Sequence, residues 1–182
     1  MNHLTTPEKV KKVRSVAATL NDDKVLGFII EAEQLYVKNR LGDALFIDLL
    51  DYVNATDKTG FPAEYSTLLA GGIYTGNSCG NTGKRQFMGL EAALNYYTYA
   101  KLVEHNDFNV TRFGGAMMKK DDYSNHSELK EKLAEKNSAL VQGDIYIEEC
   151  LEFLKANKEN IPLFTRAGNA ENRLEFEVLK FN

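Results

Sequence analysis

The sequence predicts a mainly α protein: a helical bundle of four or five helices with long loops and a short extended or β arm at the C-terminus. Apolar residues recur at three- and four-residue steps over most of the 182 residues, as in helices that bury one face. Strict alternation is confined to short segments. The 43% hydrophobic and 26% charged content is typical of a globular domain. We predict a helical domain over residues 1–160 and an arm over residues 161–182.

Two helices are predicted in the first third of the chain. The first runs from Pro7 to about Leu20, because proline is favoured in the first turn of a helix. The second begins at Asn21 or Asp22, either of which can cap it, and one of its faces is apolar. That face comprises Val25, Phe28, Ile29, Ala32, Leu35 and Tyr36.

A glycine ends the second helix and begins a helical corner. Gly42 follows Leu41 and can adopt the positive φ that terminates a helix. A short apolar helix then continues to about Val53. After a polar turn, residues 64–70 form another short helix.

The glycine-rich stretch from Gly71 to Gln86 is predicted to be a long surface or assembly loop. Its Gly83-Lys84 pair is the nearest approach to a phosphate-binding loop, which requires G-x-x-x-x-G-K-[ST]. Ser78 replaces the first glycine and Arg85 replaces the final hydroxyl residue. The segment therefore does not predict a nucleotide site.

The next helix is predicted from Lys84 to His105 and has two adjacent apolar faces. So wide a stripe places it at the centre of the bundle or against a neighbouring subunit. Tyr96, Tyr97 and Tyr99 point in different directions around a helix, which favours packing over a platform for stacking bases.

An extended crossover and a long last helix complete the body. Alternation at Phe108, Val110 and Phe113 favours a strand or an edge arm. The last helix begins near Asn125 or Ser127, and a central glycine is expected to kink or break it. Its apolar face comprises Leu129, Leu133, Leu140, Ile147, Leu151 and Leu154, and the glycine is Gly143.

An acidic cluster on that last helix has two interpretations. Glu148, Glu149 and Glu152 form either a solvated face or a surface that repels phosphates in a DNA channel. The basic run of Lys9, Lys11, Lys12 and Arg14 is likewise either a solvated helix face or an electrostatic contact to a partner or DNA.

No catalytic, cofactor-binding or metal-ligating residue is predicted. His3, His105 and His126 share no metal-ligand spacing with one another or with the cysteines. Cys79 in the glycine-rich stretch is either a nucleophile assisted by a distant histidine or an ordinary surface thiol, and a lone thiol of this kind favours the latter. Cys150 behaves as a small apolar residue within the last helix. A net charge of −4 argues against a protein that binds nucleic acid through its phosphates.

The sequence predicts neither a membrane span nor an export signal. No apolar run approaches the ~20 residues needed to cross a bilayer. The N-terminus lacks the apolar stretch of a secretory signal, which favours synthesis in the cytoplasm.

The order of these segments resembles the head-tail connector (adaptor) proteins of tailed bacteriophages, in particular those of phages and prophages of Bacteroides-like bacteria. The resemblance covers roughly residues 22–164. It consists of the helix with Ala32, Glu33 and Tyr36, the Leu41-Gly42 corner, the glycine-rich loop, GLEAALNYYTYAKLV from Gly89, TRFGGAMMKKDDYS from Thr111, and the last helix ending near Phe164.

The resemblance implies a structural virion protein at the portal vertex. Such connectors form homo-oligomeric, twelve-fold rings beneath the portal, extend the DNA channel and support tail attachment. Expected partners are the portal protein and adjacent ring or tail proteins, and genomic DNA passes without sequence-specific binding. The alternative is a non-enzymatic α-helical protein–protein interaction module without a virion role.

The C-terminal segment, residues 161–182, is predicted to be an extended docking arm. Pro162 ends the preceding helix, and Leu174, Phe176 and Val178 alternate with charged residues. So short a strand must add to a sheet edge or lie in a groove, of its own chain or of a partner. The resemblance to connectors favours the partner.

Overall fold

The computed structural model describes residues 2–14, 20–78, 81–105, 108–110, 116–118 and 129–164. Its elements follow one another in this order: α1 (Pro7–Lys11), α2 (Asp22–Ala32), a π-helical segment (Glu33–Val37), α3 (Lys38–Leu41), α4 (Asp43–Asn54), α5 (Glu64–Ala70), β1 (Gly72–Ser78), β2 (Asn81–Phe87), α6 (Leu90–His105), β3 (Phe108–Val110), β4 (Ala116–Met118) and α7 (Leu129–Ala156). The predicted mainly α fold is confirmed.

The helical corner forms as the sequence predicts, except that Leu35, assigned to the buried face of the second helix, is 51% exposed. Asn21 caps α2, and its side chain accepts a hydrogen bond from the backbone N–H of Asp23 at 2.7 Å. The helix continues through the π-helical segment and α3 until Gly42, whose φ of 82° ends it. Helix α4 starts at the next residue.

The first helix is shorter than predicted. It ends at Lys11 instead of about Leu20, and Arg14 adopts a φ of 49° that a continuing helix cannot contain. Residues 15–19 of the predicted helix lie outside the described part of the chain.

Helix α6 is the centre of the fold. It packs along α7 and also contacts α1, α2 and α5. Of the two adjacent apolar faces predicted for it, the first is buried at Leu90, Leu94 and Tyr97. The second is buried at Leu102 alone, since Met88 is 48% exposed and Ala92 and Tyr99 are partly buried. The predicted start of α6 at Lys84 is wrong, because residues 84–87 belong to β2.

Helix α7 runs without interruption from Leu129 to Ala156, so the alternative of a break at Gly143 is wrong, and the alternative of a kink stays a prediction. Its predicted apolar face is buried towards the C-terminal end, at Ile147, Leu151 and Leu154. Leu133, assigned to the same face, is 53% exposed.

Within the described residues, two small antiparallel sheets join the helices. The stretch predicted to be a glycine-rich loop is instead a β-hairpin, in which β1 pairs with β2 from Gly72↔Phe87 to Ser78↔Asn81. Strands β3 and β4 pair in the predicted extended crossover. The expectation of a strand there is confirmed for residues 108–110, and Phe113 of the same predicted alternation lies outside the described residues.

The predicted C-terminal arm begins too early. Ile161 and Phe164 are 0% and 2% exposed and belong to the hydrophobic core. Residues 161–164 are therefore part of the helical body, and the remainder of the predicted arm, residues 165–182, lies outside the described part. None of the helices in the described residues is long and apolar enough to span a membrane.

Candidate interaction surface at the β-hairpin

Two glycines form the base of the hairpin. Gly71 and Gly89 have φ values of 82° and 85°, which L-residues with a side chain rarely adopt. A Cβ on Gly71 would lie 2.6 Å from the carbonyl oxygen of Phe87, and one on Gly89 would lie 2.3 Å from the nitrogen of Gly71. The chain can enter and leave the hairpin side by side because neither position has a side chain.

Aromatic packing fixes the inner face of the hairpin on α7. The ring of Phe87 stacks on Phe153 with centroids 4.7 Å apart, and Tyr74 meets Phe153 edge-on at 5.3 Å. Tyr74 and Phe87 also contact each other at 5.6 Å. The N–H of Met88 donates to Glu149 Oε2 at 3.4 Å. The hairpin is thus held to the helical body along one face.

The outer face of the hairpin is exposed and mostly polar. Its one large apolar side chain among the described residues is Ile73, which is 67% exposed. Ile73 pairs with Gln86, and the neighbouring Thr75 pairs with Lys84. Lys84, the lysine of the incomplete phosphate-loop pattern, therefore lies on an open strand face.

A groove of about 670 Å³ separates β2 from α7. We call it the hairpin groove. Its apolar lining consists of Tyr74, Phe87, Val141 and Ile145. Its polar lining consists of Arg85, Gln86, Asp144, Glu148, Glu149 and Glu152. Val141 and Ile145 are 58% and 48% exposed, so much of this apolar surface faces solvent.

Ion pairs and hydrogen bonds hold the acidic side of the groove. Glu148 accepts a hydrogen bond from Arg40 at 2.6 Å, and Asp144 accepts one from the Tyr97 hydroxyl at 2.8 Å. Lys155 donates to Glu152 at 2.6 Å. The carboxylates of Glu148 and Glu152 are about half exposed, which agrees with a solvated acidic face.

The tyrosines of α6 pack within the chain, as the sequence predicts. Tyr97 stacks on Tyr36 with centroids 4.4 Å apart, and Tyr96 meets Tyr146 edge-on at 5.6 Å. Tyr99 donates to Glu135 at 2.8 Å.

The basic run near the N-terminus pairs with acidic residues of the same chain. Lys9 contacts Glu91 at 2.6 Å, and Lys11 contacts Asp22 at 2.6 Å. Arg14 forms an ion pair with Glu135 and lies over the ring of Tyr99. Ion pairs within the chain therefore neutralise most of the basic run, and no other molecule is needed for this.

The cysteine and histidines in the described residues are buried or in contact with other side chains of the chain. Burial raises the pKa of the Cys150 thiol to about 12, so it is protonated at neutral pH and a poor nucleophile. His3 contacts Glu33 at 2.8 Å, and His105 stacks on Phe28. No group of three or more potential metal ligands occurs among the described residues. Cys79 and His126 lie outside them.

Residues 37–173 match DUF6712, a family of unknown function. The chain belongs to this family. No curated protein and no solved structure matches it significantly. The DUF6712 match begins at the last residue of the π-helical segment and contains the whole hairpin groove. It ends one residue before the alternating segment LEFEVLKF, residues 174–181.

Sequence reasoning missed the hairpin and the groove. Val141 and Ile145 are four residues apart and therefore neighbours on one helix face, but they lie outside the predicted apolar stripe of α7. This apolar pair on a second face of α7 was the sequence signal that could have indicated the groove.

Proposed function

We propose that this protein is a structural virion component, a head-tail connector subunit that assembles as a ring beneath the portal of a tailed phage. In this role it extends the DNA channel and supports tail attachment. Its partners are the portal protein, adjacent ring or tail proteins and further copies of itself. The function requires binding surfaces and no catalytic residue.

The observation that carries the proposal is the two-faced hairpin. Its inner face packs on α7 through Tyr74, Phe87 and Phe153, whereas its outer face presents Ile73 to solvent. An element fixed in this way loses little conformational entropy when a partner binds, which favours assembly.

A ring also needs a second, different surface on each subunit, because its contacts are heterologous. The helical body offers exposed apolar side chains apart from the hairpin. They are Ile30, Leu35, Ile47 and Leu133, each between 41% and 55% exposed.

Two further features suit a connector. The order of helical corner, central helix, extended crossover and long last helix is the order on which the resemblance to connectors rests. The net charge of −4 suits a channel wall along which DNA passes without being held.

The first test is the composition of the particle. Mass spectrometry should detect the protein in purified virions of the phage or induced prophage that encodes it, and electron cryo-microscopy should place it in a closed ring at the portal vertex. A folded protein absent from such particles would overturn the proposal in favour of an interaction module without a virion role.

The second test concerns the hairpin. Deleting residues 73–82 would remove Tyr74 from the core, so a point substitution is the sharper variant. Ile73→Asp should leave the thermal midpoint unchanged and prevent incorporation into particles. Thr75→Asp, on the same exposed face, is the matched control. Normal incorporation of Ile73→Asp would show that this face makes no assembly contact.

A further inference from the structure

We propose that residues 174–181 of this chain add to the free edge of β2 as a third strand and cover the hairpin groove of their own subunit. The proposal does not depend on ring formation. It rests on the edge of β2, the apolar floor of the groove, the pattern of the C-terminal sequence and the distance that the chain must cover.

The edge of β2 is available for pairing. Within the described residues β2 pairs with β1 alone. Arg85, Gln86 and Phe87 are consecutive and all line the groove, so the edge of β2 opposite β1 borders it. An open edge presents unpaired backbone groups that template another strand, and a two-stranded ribbon gains stability from a third.

The apolar lining of the hairpin groove favours an apolar occupant. Val141 and Ile145 are about half exposed beside the rings of Tyr74 and Phe87. Covering them would remove apolar surface from water at about 25 cal/mol per Å². A strand with apolar residues on one face would do so while its backbone pairs with β2.

The C-terminal sequence has that pattern. In LEFEVLKF, Leu174, Phe176 and Val178 fall on one face of a strand together with Lys180. The other face carries Glu175 and Glu177, followed by Leu179 and Phe181, so the apolar alternation holds over residues 174–178. With the apolar face in the groove, the glutamates lie on the outer face of the sheet.

Charge complementarity supports this orientation. The outer face of β2 carries Lys84, which is exposed and forms no ion pair with a described residue. Neighbouring strands bring side chains on one face within about 5.5 Å, close enough for Glu175 or Glu177 to pair with Lys84.

The length of chain identifies the subunit's own groove as the site. Phe164, the last described residue, is buried in the same core as Phe153, which contacts Phe87. The linker of residues 165–173 spans up to about 30 Å when extended. From Ala156 at the end of α7 back to Ile145 is about 16 Å along the helix axis. A tether this short gives millimolar effective concentration, which favours docking on the same chain.

Hydrogen exchange on the full-length chain tests the proposal. Those amides of residues 82–87 that do not bond to β1 should be protected, and Val178→Asp should accelerate their exchange by at least about tenfold. Leu179→Asp, one residue away on the opposite face of the proposed strand, should leave them protected. Ile145→Asp in the groove should match Val178→Asp. Unchanged slow exchange in α6 would show that each variant is folded.

The charge pair is tested by exchange of signs. Lys84→Glu should accelerate exchange at residues 82–87, and adding Glu175→Lys and Glu177→Lys should restore protection. Lys158→Glu, at an exposed site on the turn after α7, is the matched control.

Three results would overturn the proposal. They are an unprotected β2 edge in the wild-type chain, equal effects of Val178→Asp and Leu179→Asp, and protection that disappears on dilution. The last result would identify the occupant as the tail of a second copy. None of them would bear on whether the protein is present in virions.

Discussion

Gly143 on α7 lies directly against the ring of Tyr97 on α6. A Cβ at position 143 would lie 2.7 Å from Cε1 of that ring. The ring cannot easily move, because it stacks on Tyr36 and its hydroxyl donates to Asp144. Burial, followed by the contact with Asp144, raises the pKa of Tyr97 well above its usual range. The glycine therefore sets how closely the two central helices approach.

Gly143→Ala should destabilise the protein despite the better helix propensity of alanine. Overpacking a core typically costs about 1–3 kcal/mol, whereas alanine gains up to about 1 kcal/mol over glycine in a helix. The free energy of unfolding in denaturant measures the difference.

Gly27→Ala is the matched control for that substitution. Gly27 lies within α2, and a Cβ there would meet no atom within 4 Å. This variant should stabilise the protein by about 0.5–1 kcal/mol. If both variants stabilise it equally, the contact with Tyr97 does not limit packing.

Gly42 and Gly143 show what the sequence can and cannot predict about a glycine. The cap at Asn21, one of the two residues predicted for it, and the helix end at Gly42 depend on the local backbone and could therefore be predicted. The role of Gly143 depends on a ring from another helix, so its position in the sequence suggested only a kink or a break in the helix.

The hairpin was missed for a related reason. Its strands contain Gly72, Gly76 and Gly83, which weaken the strand signal. The spacing of Phe87 and Leu90 also matches a helix, which extended the predicted α6 backwards. The contacts that favour the hairpin come from Phe153 on α7, which is distant in sequence.

Gly71→Ala should destabilise the protein through the hairpin base. Its φ of 82° costs a non-glycine residue about 1–2 kcal/mol, and the added Cβ would clash with the backbone at Phe87 and Met88. We expect a loss above about 2 kcal/mol in the free energy of unfolding. Gly60→Ala, with open space and no positive φ, should change it little. If Gly71→Ala and Gly60→Ala both change the free energy of unfolding only slightly, the close backbone approach at the base of the hairpin is wrong.

Glu33 should anchor the N-terminus. It is 1% exposed, and its carboxylate accepts hydrogen bonds from the Leu4 N–H at 2.7 Å and faces His3 Nδ1 at 2.8 Å. Glu33→Ala leaves the buried Leu4 N–H without its partner, at a cost of about 1–3 kcal/mol. Glu33→Gln keeps an acceptor and should cost less. Limited proteolysis should then cut residues 2–6 faster in the alanine variant. Equal cleavage of the wild-type chain and Glu33→Ala would exclude this anchor.

Acid should weaken the contact between α6 and α7 through Glu104. A hydrogen bond from Lys136 at 2.6 Å is the largest cause lowering the pKa of Glu104 from 4.5. A carboxyl group with a lowered pKa in the folded state stabilises the fold above its unfolded pKa and loses that contribution as pH falls through the folded value.

The thermal midpoint should therefore decline below about pH 4.5, and Glu104→Gln should flatten this decline. The pair is about a third exposed, so the effect is a fraction of ~1 kcal/mol. Glu159→Gln, at an exposed site, is the control. An unchanged pH profile in Glu104→Gln would show that this ion pair contributes nothing to acid sensitivity.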